Sequence, residues 1–181
     1  TPVVFDVKCS EVLPQALAAA GALPEMWKTG HSLIKARMKE LKAPLAGEMS
    51  GHMFFGGDYY GFDDALFGAA RLLEIVSKTP KGLAPLLADL PRTFATPEIR
   101  VDCPDEIKFA IADRAVAHFA ARYPVNTIDG VRMTFPKGWG LIRSSNTQPV
   151  LVLRFEATDA AALEAYQAEV MGWLGEQGVR G

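Results

Sequence analysis

Pro2-Val3-Val4-Phe5-Asp6-Val7 is a β-branched apolar run, and the pattern it opens decides the fold. A helical pattern covers about Ser10 to Ala20, an apolar run covers Leu23 to Lys28, and a second helical pattern covers about His31 to Leu41. Strand, helix, strand, helix in succession means a largely parallel sheet covered by helices. Pro44 to Met49 and Met53 to Phe55 supply two more short strands. Asp63-Asp64 then opens a helix whose Leu66, Ala69, Leu73 and Val76 share one face. The Thr, Pro and Gly punctuation around Ser77 to Lys81, and again around Leu90 to Pro97, marks a terminating helix and a linker, with the boundary near 91 to 96.

Beyond the linker, Phe94 to Val101 reads as a strand, and Pro104-Asp105-Glu106 starts a helix where proline and acids suit the first turn. Ile107, Ile111, Ala115 and Phe119 give that helix its buried stripe. Further strands lie at Thr127 to Phe135, Gly140 to Arg143 and Val150 to Glu156, with turns at Asp129-Gly130 and Pro136-Lys137-Gly138. A last helix from about Asp159 to Leu174 turns Leu163, Tyr166, Val170 and Trp173 inward. The expected class is α/β: a mixed α/β sheet domain over 1–92 with helices on both faces, then a small α+β domain over 96–181 with two helices on an antiparallel sheet.

Composition narrows the function. The 181 residues are 49% apolar, and a mean hydropathy of +0.09 describes a soluble globular chain. A net charge of -2, with no Lys/Arg run longer than two, offers neither a nucleic-acid footprint nor an anionic-membrane patch. No apolar stretch is long enough to span a bilayer and no signal region opens the chain. The two cysteines, Cys9 and Cys103, stand far apart, which argues against a disulfide framework and fits buried small side chains in a reducing, cytoplasmic setting. The start at Thr1-Pro2-Val3, without Met and already inside a strand-like run, reads as a cut chain.

Three segments carry chemistry. Arg143-Ser144-Ser145-Asn146-Thr147-Gln148-Pro149 places a guanidinium, three hydroxyls, an amide and several N–H groups on one turn. Such a set satisfies the many acceptor oxygens of a phosphate; its plainer reading is a polar hairpin corner with an exposed Arg. In Gly47-Glu48-Met49-Ser50-Gly51-His52 the Glu, Ser and His alternate, so in extended chain all three would face one way, as suits a polyol. A surface turn is the alternative. Trp27-Lys28-Thr29-Gly30-His31-Ser32 ends a strand and starts a helix, leaving N–H groups and His31 at the sheet's carboxyl edge, where Lys8 would also reach. Helix capping by Thr29 or Ser32 and an exposed strand-end lysine are the corresponding plain readings. A zinc site of His31, Glu48 and His52 is disfavoured, because no pair has helical ligand spacing.

In this order, Phe5-Asp6-Val7-Lys8-Cys9, Lys28-Thr29-Gly30-His31-Ser32, Gly47 to His52, Tyr60-Gly61-Phe62-Asp63-Asp64 and Arg143 to Pro149 resemble the carboxyl-terminal half of the α-D-phosphohexomutases, its third and fourth domains. The Met of Glu-Met-Ser-Gly-His resembles the phosphomannomutase/phosphoglucomutase branch most. The resemblance implies sugar contacts at Lys8, His31, Glu48, Ser50 and His52, with Glu48 on the 3- and 4-hydroxyls and His31 assisting proton transfer. It implies phosphate contacts at Arg143, Ser145, Asn146 and Thr147, with the Ser144 backbone included. It implies a parent enzyme that interconverts hexose 1- and 6-phosphates, with Mg2+ and a hexose 1,6-bisphosphate activator, neither expected on this fragment. The family's Ser-His-Asn-Pro and Asp-Gly-Asp-x-Asp-Arg loops do not occur here, so the expected partners are hexose phosphates and the amino-terminal domains of the same enzyme, and the fragment is expected to be inactive. Gly56-Gly57 stands where relatives often carry a charge. A non-catalytic sugar-phosphate binding module is the alternative.

Overall fold

The computed structural model describes residues 1–80 and 82–179, and these divide into two compact units, Thr1–Pro91 and Arg92 onward. Lys81, at the end of the punctuated stretch, lies outside the described residues, as do Arg180 and Gly181. The first unit runs β1 (Pro2–Asp6), α1 (Val12–Ala19), β2 (Leu23–Trp27), α2 (His31–Leu41), β3 (Leu45–Gly47), β4 (Met53–Phe55) and α3 (Ala65–Ser77), ending in a 3-10 turn at Ala84–Leu87. Its sheet has the order β2-β1-β3-β4, with β1 parallel to β2 and β3, and β4 antiparallel to β3.

That order fixes the layers. The chain steps one way from β1 to β2 and the opposite way from β2 to β3, so right-handed crossovers put α1 and α2 on opposite faces. It also makes β1 and β3 neighbours whose following loops diverge, and ligands of open α/β sheets gather at such a crevice. Under α2 the face is sealed by Val4, Ile34, Met38, Ala43, Ala46 and Phe54. The other face is sealed only in part, with Phe5 buried on it. Neither α1 nor α3 has a buried residue, and on the face that Leu66, Ala69 and Leu73 share, Leu66 is 85% and Leu73 67% exposed. A groove of about 780 Å³ runs between α3 and the sheet, with Leu45, Met53, Phe55, Leu72 and Ile75 among its walls.

The second unit runs β5 (Phe94–Ala95), β6 (Ile99–Asp102), α4 (Asp105–Ala120), β7 (Val125–Asn126), β8 (Val131–Phe135), β9 (Gly138–Ser144), β10 (Val150–Ala157) and α5 (Ala160–Glu176). Its sheet is antiparallel, β5-β10-β9-β8-β7, with β6 also on β10. The single strand expected over Phe94 to Val101 is therefore two, separated by a segment holding Pro97, which cannot donate to the ladder. The strand expected over Thr127 to Phe135 begins only at Val131, after the Asp129-Gly130 turn. α4 and α5 both pack on this sheet, around Phe119, Met133, Ile142, Leu151, Phe155, Val170 and Leu174. Each such side chain, fully buried, is worth about 1.5–3 kcal/mol. On α4 the stripe is Lys108, Ile111, Ala115 and Phe119. Ile107 is 43% exposed instead. As expected, Cys9 and Cys103 are both buried.

Candidate functional site

The carboxyl ends of β1, β2 and β3 bring three of the sequence segments to one edge, and a residue given no role by sequence holds them there. Asp6, fully buried at the end of β1, accepts hydrogen bonds from Thr29 Oγ1 at 3.4 Å, from the Met49 N–H at 3.3 Å and from Cys9 Sγ at 3.2 Å, and Lys8 Nζ lies 3.8 Å from its Oδ2. One carboxylate thus ties the loop after each parallel strand to the others. A buried charge persists only when paired and hydrogen-bonded in this way. Cys9 is a donor here as well as a small apolar side chain. Lys8 is buried rather than an exposed strand-end lysine.

Glu48 is held just as definitely. The Gly30 N–H donates to Glu48 Oε1 at 2.8 Å, so the carboxylate sits at the amino end of α2, where unpaired N–H groups and the helix dipole favour negative charge. Neither Thr29 nor Ser32 caps this helix with a side chain. The expected extended Glu48-Ser50-His52 alternation does not form. β3 and β4 are a hairpin with Gly47 opposite Met53, and the link between them is a turn closed by Glu48 N–H to His52 O at 2.9 Å and Gly51 N–H to Glu48 O at 2.9 Å. With Gly51 at φ +92° the chain reverses, and Glu48, bound to the Gly30 N–H, parts from Ser50 and His52. Ser50 and His52 line the end of the groove beside α3, and Lys8, His31 and Glu48 are not among its walls. His52 Nδ1 stands 2.7 Å from Asp63 Oδ2, a residue that the sequence marks only as a helix start. His31, the first residue of α2, is exposed next to Gly30.

In the second unit the Arg143 to Pro149 loop joins β9 to β10, and its floor is built from below. Arg143 is 5% exposed and its Nε donates to Asp129 Oδ2 at 2.9 Å, which fixes the plane of the guanidinium. The Asp129-Gly130 turn comes that close because Gly130, at φ +75°, has no Cβ: one would lie 2.2 Å from Ile142 O and 2.7 Å from Arg143 Cα. Ser144 Oγ donates to Lys108 O at 3.0 Å, so its hydroxyl is spent on α4 and only its main chain can serve a ligand. Ser145 Oγ accepts from the N–H groups of Thr147 at 3.3 Å and Gln148 at 3.2 Å and so shapes the turn. Lys108, buried on α4, donates to Gln148 O at 2.9 Å. Asn146 and Thr147 are exposed at the apex.

A cleft of about 310 Å³ beside this loop has Thr127, Ser144 and Asn146 on its walls, together with Asp113 and Asp129. Asp113 and Asp129 make the wall of this cleft partly acidic. Sequence reasoning missed Asp6, Asp63, Asp129 and Lys108. A legible signal existed for two of them: an acid inside an apolar strand, and a lysine three residues before Ile111 on the buried stripe. Among the described residues no three His, Cys, Asp or Glu converge on a possible metal site, the His31, Glu48, His52 set included. Nor is any described helix long and apolar enough to cross a membrane.

Comparison with known proteins places both units. Residues 1–94 match the model of the phosphoglucomutase/phosphomannomutase alpha/beta/alpha domain III, and residues 98–172 match that of the phosphoglucomutase/phosphomannomutase C-terminal domain. A phosphomannomutase/phosphoglucomutase of Pseudomonas syringae is 50% identical over 166 residues, which are 91% of this chain and 36% of that protein. A phosphoglucomutase of Neisseria gonorrhoeae is 45% identical over 170 residues, again 91% and 36%. The crystal structure of a phosphoglucomutase/phosphomannomutase family protein from Burkholderia thailandensis superposes with a TM-score of 0.83 at 48% identity, covering 96% of this chain and 37% of that one. The chain thus spans little more than a third of the length of these proteins.

Proposed function

Because this chain belongs to the phosphoglucomutase/phosphomannomutase family and holds its third and carboxyl-terminal domains, we propose that it is the substrate-recognising portion of an enzyme that interconverts hexose 1- and 6-phosphates through a bisphosphate intermediate. The observation that carries this reading is the Glu48 carboxylate held by the Gly30 N–H at 2.8 Å. A carboxylate fixed before the ligand arrives can accept from two adjacent sugar hydroxyls without reorganising, which is how positioning groups lower a barrier. Lys8, His31, Ser50 and His52 serve the sugar from the first unit, and Arg143, the Ser144 main chain, Ser145, Asn146 and Thr147 serve phosphate from the second. The phosphoserine nucleophile, the Mg2+ ligands and the bisphosphate activator belong to the longer protein, and this chain alone turns nothing over. A nucleophile is needed to split the transfer into two steps, and positioning groups do not replace it.

In the longer enzyme, Glu48→Ala is expected to lower kcat/KM at least about tenfold, the size of one lost charge-assisted hydrogen bond. Glucose and mannose phosphates should lose equally, because the 3- and 4-hydroxyls are common to both sugars. Steady-state kinetics on the two substrates checks it. A large change in their ratio would mean that Glu48 reads the 2-hydroxyl, and unchanged kinetics would remove it from the site.

A further inference from the structure

The opposite edge of the first sheet carries a second cluster of charged and aromatic side chains. α2 starts at the carboxyl edge with His31 and runs eleven residues to Leu41, about 16 Å, so Lys42 lies at the amino edge. β4, antiparallel to β3, ends at Phe55 on that same edge, and the loop after it folds over the end of α2. Together they line an open pocket of about 520 Å³, with Lys35, Lys39 and Lys42 on its helical wall and Tyr59, Tyr60 and Phe62 among its loop residues.

The three lysines fall at i, i+4 and i+7, one face of the helix. Among the described residues no acid pairs with any of them. Glu40, the only acid of α2, is 2.8 Å from Arg37, and Glu25 is 2.6 Å from the same guanidinium. Compensating a helix dipole needs one cation in the last turn, not three facing a cavity. The aromatic side is equally in excess of what packing requires. Tyr59 is fixed, stacked on Phe67 at 3.9 Å with its hydroxyl donating to Asp64 at 2.6 Å. Tyr60 and Phe62 are stacked on each other at 5.4 Å and 22°, yet stay 78% and 57% exposed. Large apolar rings held open beside unpaired cations suit a ligand with a planar face and several negative charges.

We propose that this cavity binds a nucleoside diphosphate, its base on the Tyr60–Phe62 face and its phosphates on Lys35, Lys39 and Lys42. Lysine serves phosphate as a point charge without a fixed fork, as a flexible diphosphate chain allows. A sugar bisphosphate has the charges but no planar face. The site stands at the far end of α2 from Glu48, so its occupant acts as an effector and not as substrate.

Calorimetric titration of the longer enzyme that contains this chain with ADP, pyrophosphate and adenosine tests the proposal. ADP should bind with one-to-one stoichiometry, and pyrophosphate and adenosine each at least about tenfold more weakly, since each lacks one recognition element. The double variant Lys39→Gln/Lys42→Gln should lose at least about tenfold in ADP affinity, through its missing charge-assisted bonds. Tyr60→Ser should lose at least about threefold, through lost stacking. Circular dichroism checks that the variants fold. Arg143→Ala should leave ADP affinity unchanged, which separates this site from the phosphate loop of the second unit. Equal affinity for pyrophosphate and ADP, indifference to the lysine pair, loss of ADP binding in Arg143→Ala, or no saturable ADP binding would each overturn it.

Discussion

In the second unit α4 and α5 sink Ile111, Phe119, Val170 and Leu174 into a sheet whose Leu151, Leu153 and Phe155 are fully buried, whereas in the first unit α2 alone is sunk and α3 leaves Leu66, Leu72, Leu73 and Ile75 in the open. The two helix stripes look alike in sequence. Leu66, Ala69, Leu73 and Val76 recur with the helical period, as do Ile111, Ala115 and Phe119. Periodicity reports that a helix has an apolar face; it carries no information on whether a partner is present to cover it. The Arg143 to Pro149 loop therefore springs from β9 and β10 in a closed core, and the Glu48 turn springs from a sheet with one sealed face and one groove.

The largest expected effect breaks or confirms that contrast directly. Leu153, fully buried, should cost about 2–5 kcal/mol on replacement by alanine. Leu73, 67% exposed, should cost within about 0.5 kcal/mol. Urea unfolding of the two variants measures both. A Leu73→Ala penalty as large as that of Leu153→Ala would show that this face of α3 is covered in solution.

A second, smaller contrast concerns the two turns. Gly130 and Gly51 both have positive φ, +75° and +92°, so alanine is strained at each by about 1–2 kcal/mol. At Gly51 a Cβ would meet nothing within 4 Å, but at Gly130 it would lie 2.2 Å from Ile142 O. Gly130→Ala should therefore be the more destabilising of the two and should also displace Arg143 and weaken phosphate binding, whereas Gly51→Ala should leave phosphate binding intact. Equal loss of stability and binding in both would deny that the Asp129-Gly130 turn supports the guanidinium.

The smallest effect is one of pH. Asp64 caps α3, and the Tyr59 hydroxyl first, then the Phe67 N–H, hold its carboxyl below the usual range. Asp159 caps α5, held down first by the Ala162 N–H and then by Lys137. A depressed carboxylate contributes its full stabilisation above its unfolded value, about pH 4, and loses it as pH falls through the lower folded value. Asn at either position keeps a cap but does not titrate. Asp64→Asn should flatten the acid limb of stability in the first unit, and Asp159→Asn in the second, as read by amide exchange in α3 and α5 below about pH 4. An unchanged acid limb in both would contradict the assignment.

The alternation of strand and helix, the extents of α2 and β4, and both capping aspartates were legible in the sequence, because period, turn residues and caps are local. The parts that were not legible depend on what lies across space. Asp6 reads as an oddity in an apolar strand until Thr29, Met49 and Lys8 are seen to converge on it. Asp129 reads as a turn residue until Arg143 packs above it. Lys108 lies on the buried stripe of α4, where a lysine is unexpected; its role emerges only with the Gln148 carbonyl in place. The Glu48-Ser50-His52 alternation failed for a related reason: it assumed an extended chain where a hairpin link reverses direction within a few residues.

The decisive measurement is the response of hexose and hexose-phosphate binding to Arg143→Ala in the longer protein, read by calorimetry with mannose 6-phosphate and with plain mannose. Loss of one charge-assisted contact should weaken mannose 6-phosphate at least about tenfold, equivalent to about 1.4 kcal/mol, and leave mannose unchanged. An Arg143→Ala variant that folds and binds mannose 6-phosphate as tightly as before, or that loses mannose equally, would contradict the assignment of the Arg143 to Pro149 loop to phosphate.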